Sequence, residues 1–157
     1  VLKQKPTLVL RDYHAENLIW LPKRNKNKRV GLLDYQDALA GHPAYDLASL
    51  LKDARRDVSF KLRDELTHYF LKQTKFDKEL FLRDYSILSA QRNLKIIGIF
   101  ARLSIRDNKP GYLNLIPRVW KNLQDDLLHP SLTELSSFIK INVPEPTVST
   151  LQKINSV

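Results

Sequence analysis

Cysteine and methionine are both missing from the 157 residues. Without cysteine there can be no disulfide, no thiolate zinc site and no cysteine nucleophile, and the cytoplasm becomes the default compartment. Long apolar runs are lacking too: no stretch of about 18 uncharged apolar residues occurs, so no membrane span is expected. The opening Val1-Leu2-Lys3-Gln4-Lys5-Pro6 has no continuous apolar segment behind its charges and does not read as a signal peptide. With no initiator methionine, a chain that starts at valine reads as a piece of something longer. The four histidines, His14, His42, His68 and His129, show no i, i+4 spacing for a metal. Internal repeats and low-complexity segments are also absent.

What remains is the composition of a globular domain: 43% hydrophobic and 27% charged, in a length that supports one core. The net charge is +9. The basic residues are spread along the chain except at Lys23-Arg24-Asn25-Lys26-Asn27-Lys28-Arg29. This run reads as a solvated tip between two strands, and attraction to an anionic ligand such as ATP gives the positive charge a second use. It lacks the interleaved aromatics that stack bases, so neither nucleic acid nor membrane is expected as a partner.

Residues 7–10 pattern as a short buried strand, and 12–17 as a loop. Leu18 to Leu21 forms a strand closed by Pro22, and Arg29 to Leu33 its antiparallel partner. Gly41-His42-Pro43 is a break. Apolar spacing then predicts helices over 44–54 (Leu47, Leu50, Leu51), 60–73 (Leu62, Leu66, Tyr69, Phe70) and 77–106, the last with a break to test at Gly98. A further helix is expected over 112–128, with Pro117 in its first turns, and a short one over 131–139 capped by Ser131. Beyond Pro144 and Pro146 the sequence is polar without periodicity, which predicts a mobile tail.

The most informative stretch is Leu10-Arg11-Asp12-Tyr13-His14-Ala15-Glu16-Asn17, followed by Val30-Gly31-Leu32-Leu33-Asp34-Tyr35-Gln36-Asp37. An Asp and an Asn five positions apart, then a strand delivering a second carboxylate, is the order that phosphoryl transfer requires: base, amide ligand, metal carboxylate. In that reading Asp12 orients the acceptor hydroxyl and takes its proton. Asn17 and Asp34 supply the oxygen ligands that magnesium favours. Asp37 helps through water or accepts from the acceptor sugar. His14 either polarises a phosphate or holds the loop by a hydrogen bond. Arg11 either contacts phosphate or pairs with a neighbouring buried carboxylate. Asp46, early in the first helix, is read as scaffolding that fixes the metal-binding segment. Gln91, Arg92 and Asn93 either line an acceptor pocket or form a core network.

At these residues the sequence resembles the aminoglycoside phosphotransferase / choline kinase superfamily. Within it the likeness is to the bacterial branch with the cell-wall amino-sugar kinases, which phosphorylate N-acetylmuramate and N-acetylglucosamine at the anomeric position. The stretches carrying it are Leu10 to Leu18, Gly31 to Ala38, Gly41 to Leu47 and Gln91 to Leu103, continuing through Lys109-Pro110 and Pro117-Arg118-Val119-Trp120 to about position 140. It departs at Leu10, where the wider superfamily carries a histidine.

The resemblance implies a mainly α fold with a small β-hairpin, the C-terminal lobe of a protein-kinase-like phosphotransferase. Residues 1–140 would be the catalytic and acceptor-binding lobe and 141–157 a flexible tail. Asp12 matches the base, and Asn17 and Asp34 the Mg2+ ligands. ATP is implied as co-substrate and a small-molecule sugar as acceptor. The nucleotide-binding lobe, with its phosphate-covering loop and lysine, has no counterpart in the sequence and would be supplied in cis or by a separate chain. The opposing expectation is a non-catalytic remnant or interaction module from a split kinase gene.

Overall fold

A computed structural model describes residues 5–155, so the leader reading over Val1 to Gln4 lies outside the described residues. The chain divides into two compact units, one ending at Phe76 and the other beginning at Asp77.

The first unit is two short antiparallel strand pairs and two helices. Strand β1 (Thr7–Val9) pairs with β4 (Leu39–Gly41) in the register Thr7↔Gly41 and Val9↔Leu39. Strand β2 (Leu18–Trp20) pairs with β3 (Val30–Leu32), placing Leu18 opposite Leu32 and Trp20 opposite Val30. The β2–β3 hairpin is the one expected. The β1–β4 pair is not, because Gly41 was read as part of a break. A Cβ at Gly41 would lie 3.1 Å from Val9 Cγ2, so glycine allows β4 to lie close against β1. Strand β1 is also not buried throughout: Val9 is, while Leu8 is 72% exposed.

Helix α1 (Ala44–Leu51) buries Ala44, Ala48 and Leu51, an i, i+4, i+7 stripe, and stops short of the expected Ala54. Helix α2 (Phe60–Gln73) starts where Ser59 Oγ accepts the Leu62 N–H at 3.2 Å. Its apolar stripe stays largely exposed at Leu62, Leu66 and Tyr69, and Thr67 is its buried residue.

The second unit is helical. Helix α3 (Lys78–Asp107) is capped by Asp77, whose Oδ1 accepts the Leu80 N–H at 2.9 Å. It runs through Gly98 without a break and ends at Asn108, which takes the left-handed conformation (φ 52°) common after a helix. Pro110–Leu115 forms a 3-10 turn where the next helix was expected to begin. Helix α4 (Ile116–Leu127) follows, with Pro117 in its first turn. Ile116, Val119, Leu123 and Leu127 line its buried face, and Leu123 packs in a core with Ala90, Leu132 and Ile139.

Helix α5 (Thr133–Asn142) starts two residues after Ser131. His129 is the capping group of the preceding turn, its Nδ1 accepting the Ser131 N–H. The stretch beyond Pro146, which shows no periodicity in the sequence, contains helix α6 (Val148–Asn155). Thr147 starts it by accepting the Thr150 N–H through Oγ1 at 3.2 Å, and eight residues are too few to display a clear period in the sequence. No helix among the described residues is long and apolar enough to cross a membrane.

Candidate active site

The loop leaving β1 is bent by its own backbone. The Asp12 N–H donates to Leu10 O at 2.9 Å, closing a three-residue turn around Arg11, whose φ of 71° lies in the left-handed region. Such a turn is strained for a residue with a Cβ and persists only where surrounding structure holds it. Asp46 is that structure. Its Oδ2 accepts the Leu10 N–H at 2.7 Å and its Oδ1 the Arg11 N–H at 3.0 Å. Asp46 therefore fixes the start of the loop that runs from Asp12 to Asn17, a scaffolding position, and the sequence reading has it as scaffolding for the metal-binding segment. A second tether went unnoticed in the sequence. Asp53, only 2% exposed, accepts the Ala15 N–H at 3.2 Å and the Arg55 N–H at 2.9 Å. Nothing in the spacing of Lys52-Asp53-Ala54 marks it, because the tether reaches 38 positions back along the chain.

Between the tethers, the Asp12 carboxylate is exposed and has no hydrogen bond among the described residues. Asn17 closes the loop: its Nδ2 donates to the backbone oxygen of Asp12 at 2.9 Å and lies 3.4 Å from His14 Nε2. His14 thus sits in the loop-holding position, and its buried Nδ1 has no partner among the described residues. Both contacts use the amide nitrogen of Asn17, which leaves Oδ1 open to a cation.

Asn17 also positions the second carboxylate. Its backbone oxygen accepts the Leu33 N–H at 2.9 Å, so the residue before Asp34 is pinned to the end of the Asp12 loop. Asp34 has φ 55°, a conformation aspartate tolerates better than most residues, and Gln36 Nε2 donates to its Oδ1. Asp37 is exposed in the turn closed by the Ala38 N–H on Tyr35 O at 3.1 Å. The Arg11 guanidinium has no carboxylate partner among the described residues.

Tyr13 lies against a cleft of about 440 Å³ lined by Leu8, Asp46, Leu47, Leu66, Tyr69 and Phe70. Burial, and secondarily the Asp46 carboxylate, push its phenol above the ordinary tyrosine value.

The 91–93 group separates. Gln91 is exposed, Arg92 is buried, and Asn93 joins a buried network in which its Nδ2 and Ser89 Oγ donate to Asp126 Oδ2 at 2.9 and 2.7 Å.

Among the described residues no group of three or more His, Cys, Asp or Glu could hold a metal ion by itself. The donor pair Asn17 and Asp34 nevertheless suits Mg2+, which keeps several waters and takes one or two protein oxygens with substrate phosphates.

The chain is similar to known proteins of one family. A family model described as "Phosphotransferase enzyme family" matches residues 1–82. The N-acetylmuramate/N-acetylglucosamine kinase of Caulobacter vibrioides is 48% identical over 138 residues, 87% of this chain and 38% of that protein. The kinase of the same name from Pseudomonas aeruginosa is 38% identical over 148 residues, covering 88% and 42%. That from Neisseria meningitidis serogroup B is 39% identical over 128 residues, covering 75% and 36%. The chain thus spans about two fifths of the length of the curated relatives it matches. With its Asp12–Asn17 loop bonded to Leu33, the residue before Asp34, it belongs to the phosphotransferase enzyme family.

Proposed function

We propose that this chain carries the base and the metal ligands of an ATP-dependent kinase acting on a sugar hydroxyl, with an amino sugar such as N-acetylmuramate or N-acetylglucosamine as acceptor. The observation that carries the reading is the single bond from the Leu33 N–H to Asn17 O, which ties both halves of the donor set to one loop. Asp12 accepts the hydroxyl proton of the acceptor as the oxygen attacks the γ-phosphorus of ATP. The bond to the β,γ-bridging oxygen breaks, and ADP leaves. Asn17 Oδ1 and Asp34 would hold Mg2+, which neutralises the charge on the nucleotide phosphates when bound. The Arg11 guanidinium, without a carboxylate partner among the described residues, is available to a phosphate oxygen, and Asp37 to a water or sugar hydroxyl. A nucleotide-binding lobe, in cis or as a separate chain, completes the site, and the setting is the cytoplasm.

Asp12→Asn in the complete kinase tests the base. Turnover of N-acetylmuramate should fall by about 10²–10⁴-fold, the usual worth of a positioned general base, while the unfolding midpoint holds. A mutant with undiminished turnover removes Asp12 from the chemistry. Turnover of neither amino sugar by the unmutated kinase removes the proposed acceptor.

A further inference from the structure

The basic tip between β2 and β3 has no place in the chemistry above. Lys23, Arg24, Lys26, Lys28 and Arg29 are all exposed, and none pairs with a carboxylate among the described residues. The tip is nonetheless preformed. The Arg24 N–H bonds Leu21 O at 3.1 Å, the Lys28 N–H bonds Asn25 O at 3.1 Å, and Arg29 Nε donates to Arg24 O at 2.8 Å. Directly behind the cations stands an apolar step. Trp20 is 63% exposed with the Arg29 guanidinium 5.8 Å from its ring centroid, and its cross-strand partner Val30 is exposed beside it.

We infer that this hairpin tip docks on an anionic phospholipid surface, its five cations meeting headgroup phosphates and Trp20 with Val30 entering the boundary beneath them. Three observations select a bilayer over a polyanion in solution. Tryptophan is the side chain most at home at the water–lipid boundary. Lysine and arginine stems can lie along apolar surface while their charges reach outward to phosphate. A single-stranded nucleic acid would instead draw on successive rings to stack on, and the tip holds none between Leu21 and Arg29. The contact is peripheral, involves no spanning helix, and departs from the sequence expectation that no membrane is involved. It stands apart from the kinase reading, and neither depends on the other.

Vesicle co-sedimentation of the full chain tests it. The chain should pellet with vesicles of phosphatidylcholine mixed with phosphatidylglycerol, remain in solution with phosphatidylcholine alone, and be released by added salt. Reversing Lys26 and Lys28 together to Glu should weaken partition by at least about tenfold, since each basic residue near an anionic surface is worth about fivefold. Trp20→Ala should weaken it further at unchanged charge, and both variants should keep the parent's unfolding midpoint. Equal binding to both vesicle types overturns the inference, as does a charge-reversed chain that binds like the parent. Preferential retention by a single-stranded oligonucleotide over phosphatidylglycerol vesicles overturns it as well and assigns the tip to nucleic acid.

Discussion

Up to Phe76 the chain is held in shape by carboxylates that bond backbone N–H groups, whereas from Asp77 onward it is held by apolar helix faces. The first unit keeps Leu8, Trp20, Tyr35 and Tyr69 largely exposed and carries three left-handed residues, Arg11, Lys26 and Asp34. The second puts Val119 and Leu123 wholly out of water, and its one left-handed residue among those described, Asn108, merely ends a helix. Site geometry here is bought with polar tethers and stability with packing. Strain of about 1–3 kcal/mol per left-handed residue is the kind of cost a functional loop bears and a scaffold avoids.

The contrast can be broken by mutation, beginning in the core. Leu123→Ala should destabilise the protein by about 2–5 kcal/mol, the range for a fully buried leucine, as a lowered midpoint in chemical denaturation. In the complete kinase proposed above, turnover per folded molecule should stay near the parent's. Asp46→Ala should show the reverse balance. It loses two charge-assisted bonds, a cost of about 2–4 kcal/mol, but releases the Arg11 turn and displaces Asp12. Turnover per folded molecule should therefore drop by about 10²-fold, as for a misplacement of about 1 Å, with KM for the sugar moving less than kcat. An Asp46→Ala protein with parental turnover would show that the loop holds its shape without the tether.

Gly98→Ala probes the scaffold from the opposite side. A Cβ there meets nothing within 4 Å, so the helix should gain about 0.5–1 kcal/mol from the lower backbone entropy of alanine. Tyr13→Phe has the smallest effect and separates itself by pH. The folded phenol ionises above the unfolded one, so the associated stability is complete below about pH 10 and declines as pH rises through the folded value. The mutant should lose that alkaline component, measured as a flatter dependence of the unfolding midpoint on pH.

Local patterns were legible wherever the physics is local. The period of 3.6 over Phe60–Gln73 and Lys78–Asp107 is long enough to read, and the caps Ser59 and Asp77 mark where those helices start. The three-residue strands β1 and β4 offer almost no period, and their pairing joins positions thirty or more apart. The exposed stripe of α2 shows the converse limit: spacing reveals that Leu62, Leu66 and Tyr69 share a face, not whether anything covers it.

The sequence by itself determined which groups the proposed phosphoryl chemistry draws on. Asp12, Asn17 and Asp34 lie in an order and spacing that few other activities require, and the two stretches bearing them are bounded by short apolar strands. Tertiary structure alone decided how they are held. Asp46 turned out to hold Leu10 and Arg11, Asp53 to hold Ala15, and Asn93 to enter a network with Asp126. The reason is physical. A side-chain bond that reaches across 33 to 38 positions depends on where two elements meet in space, and no spacing along the chain encodes that distance.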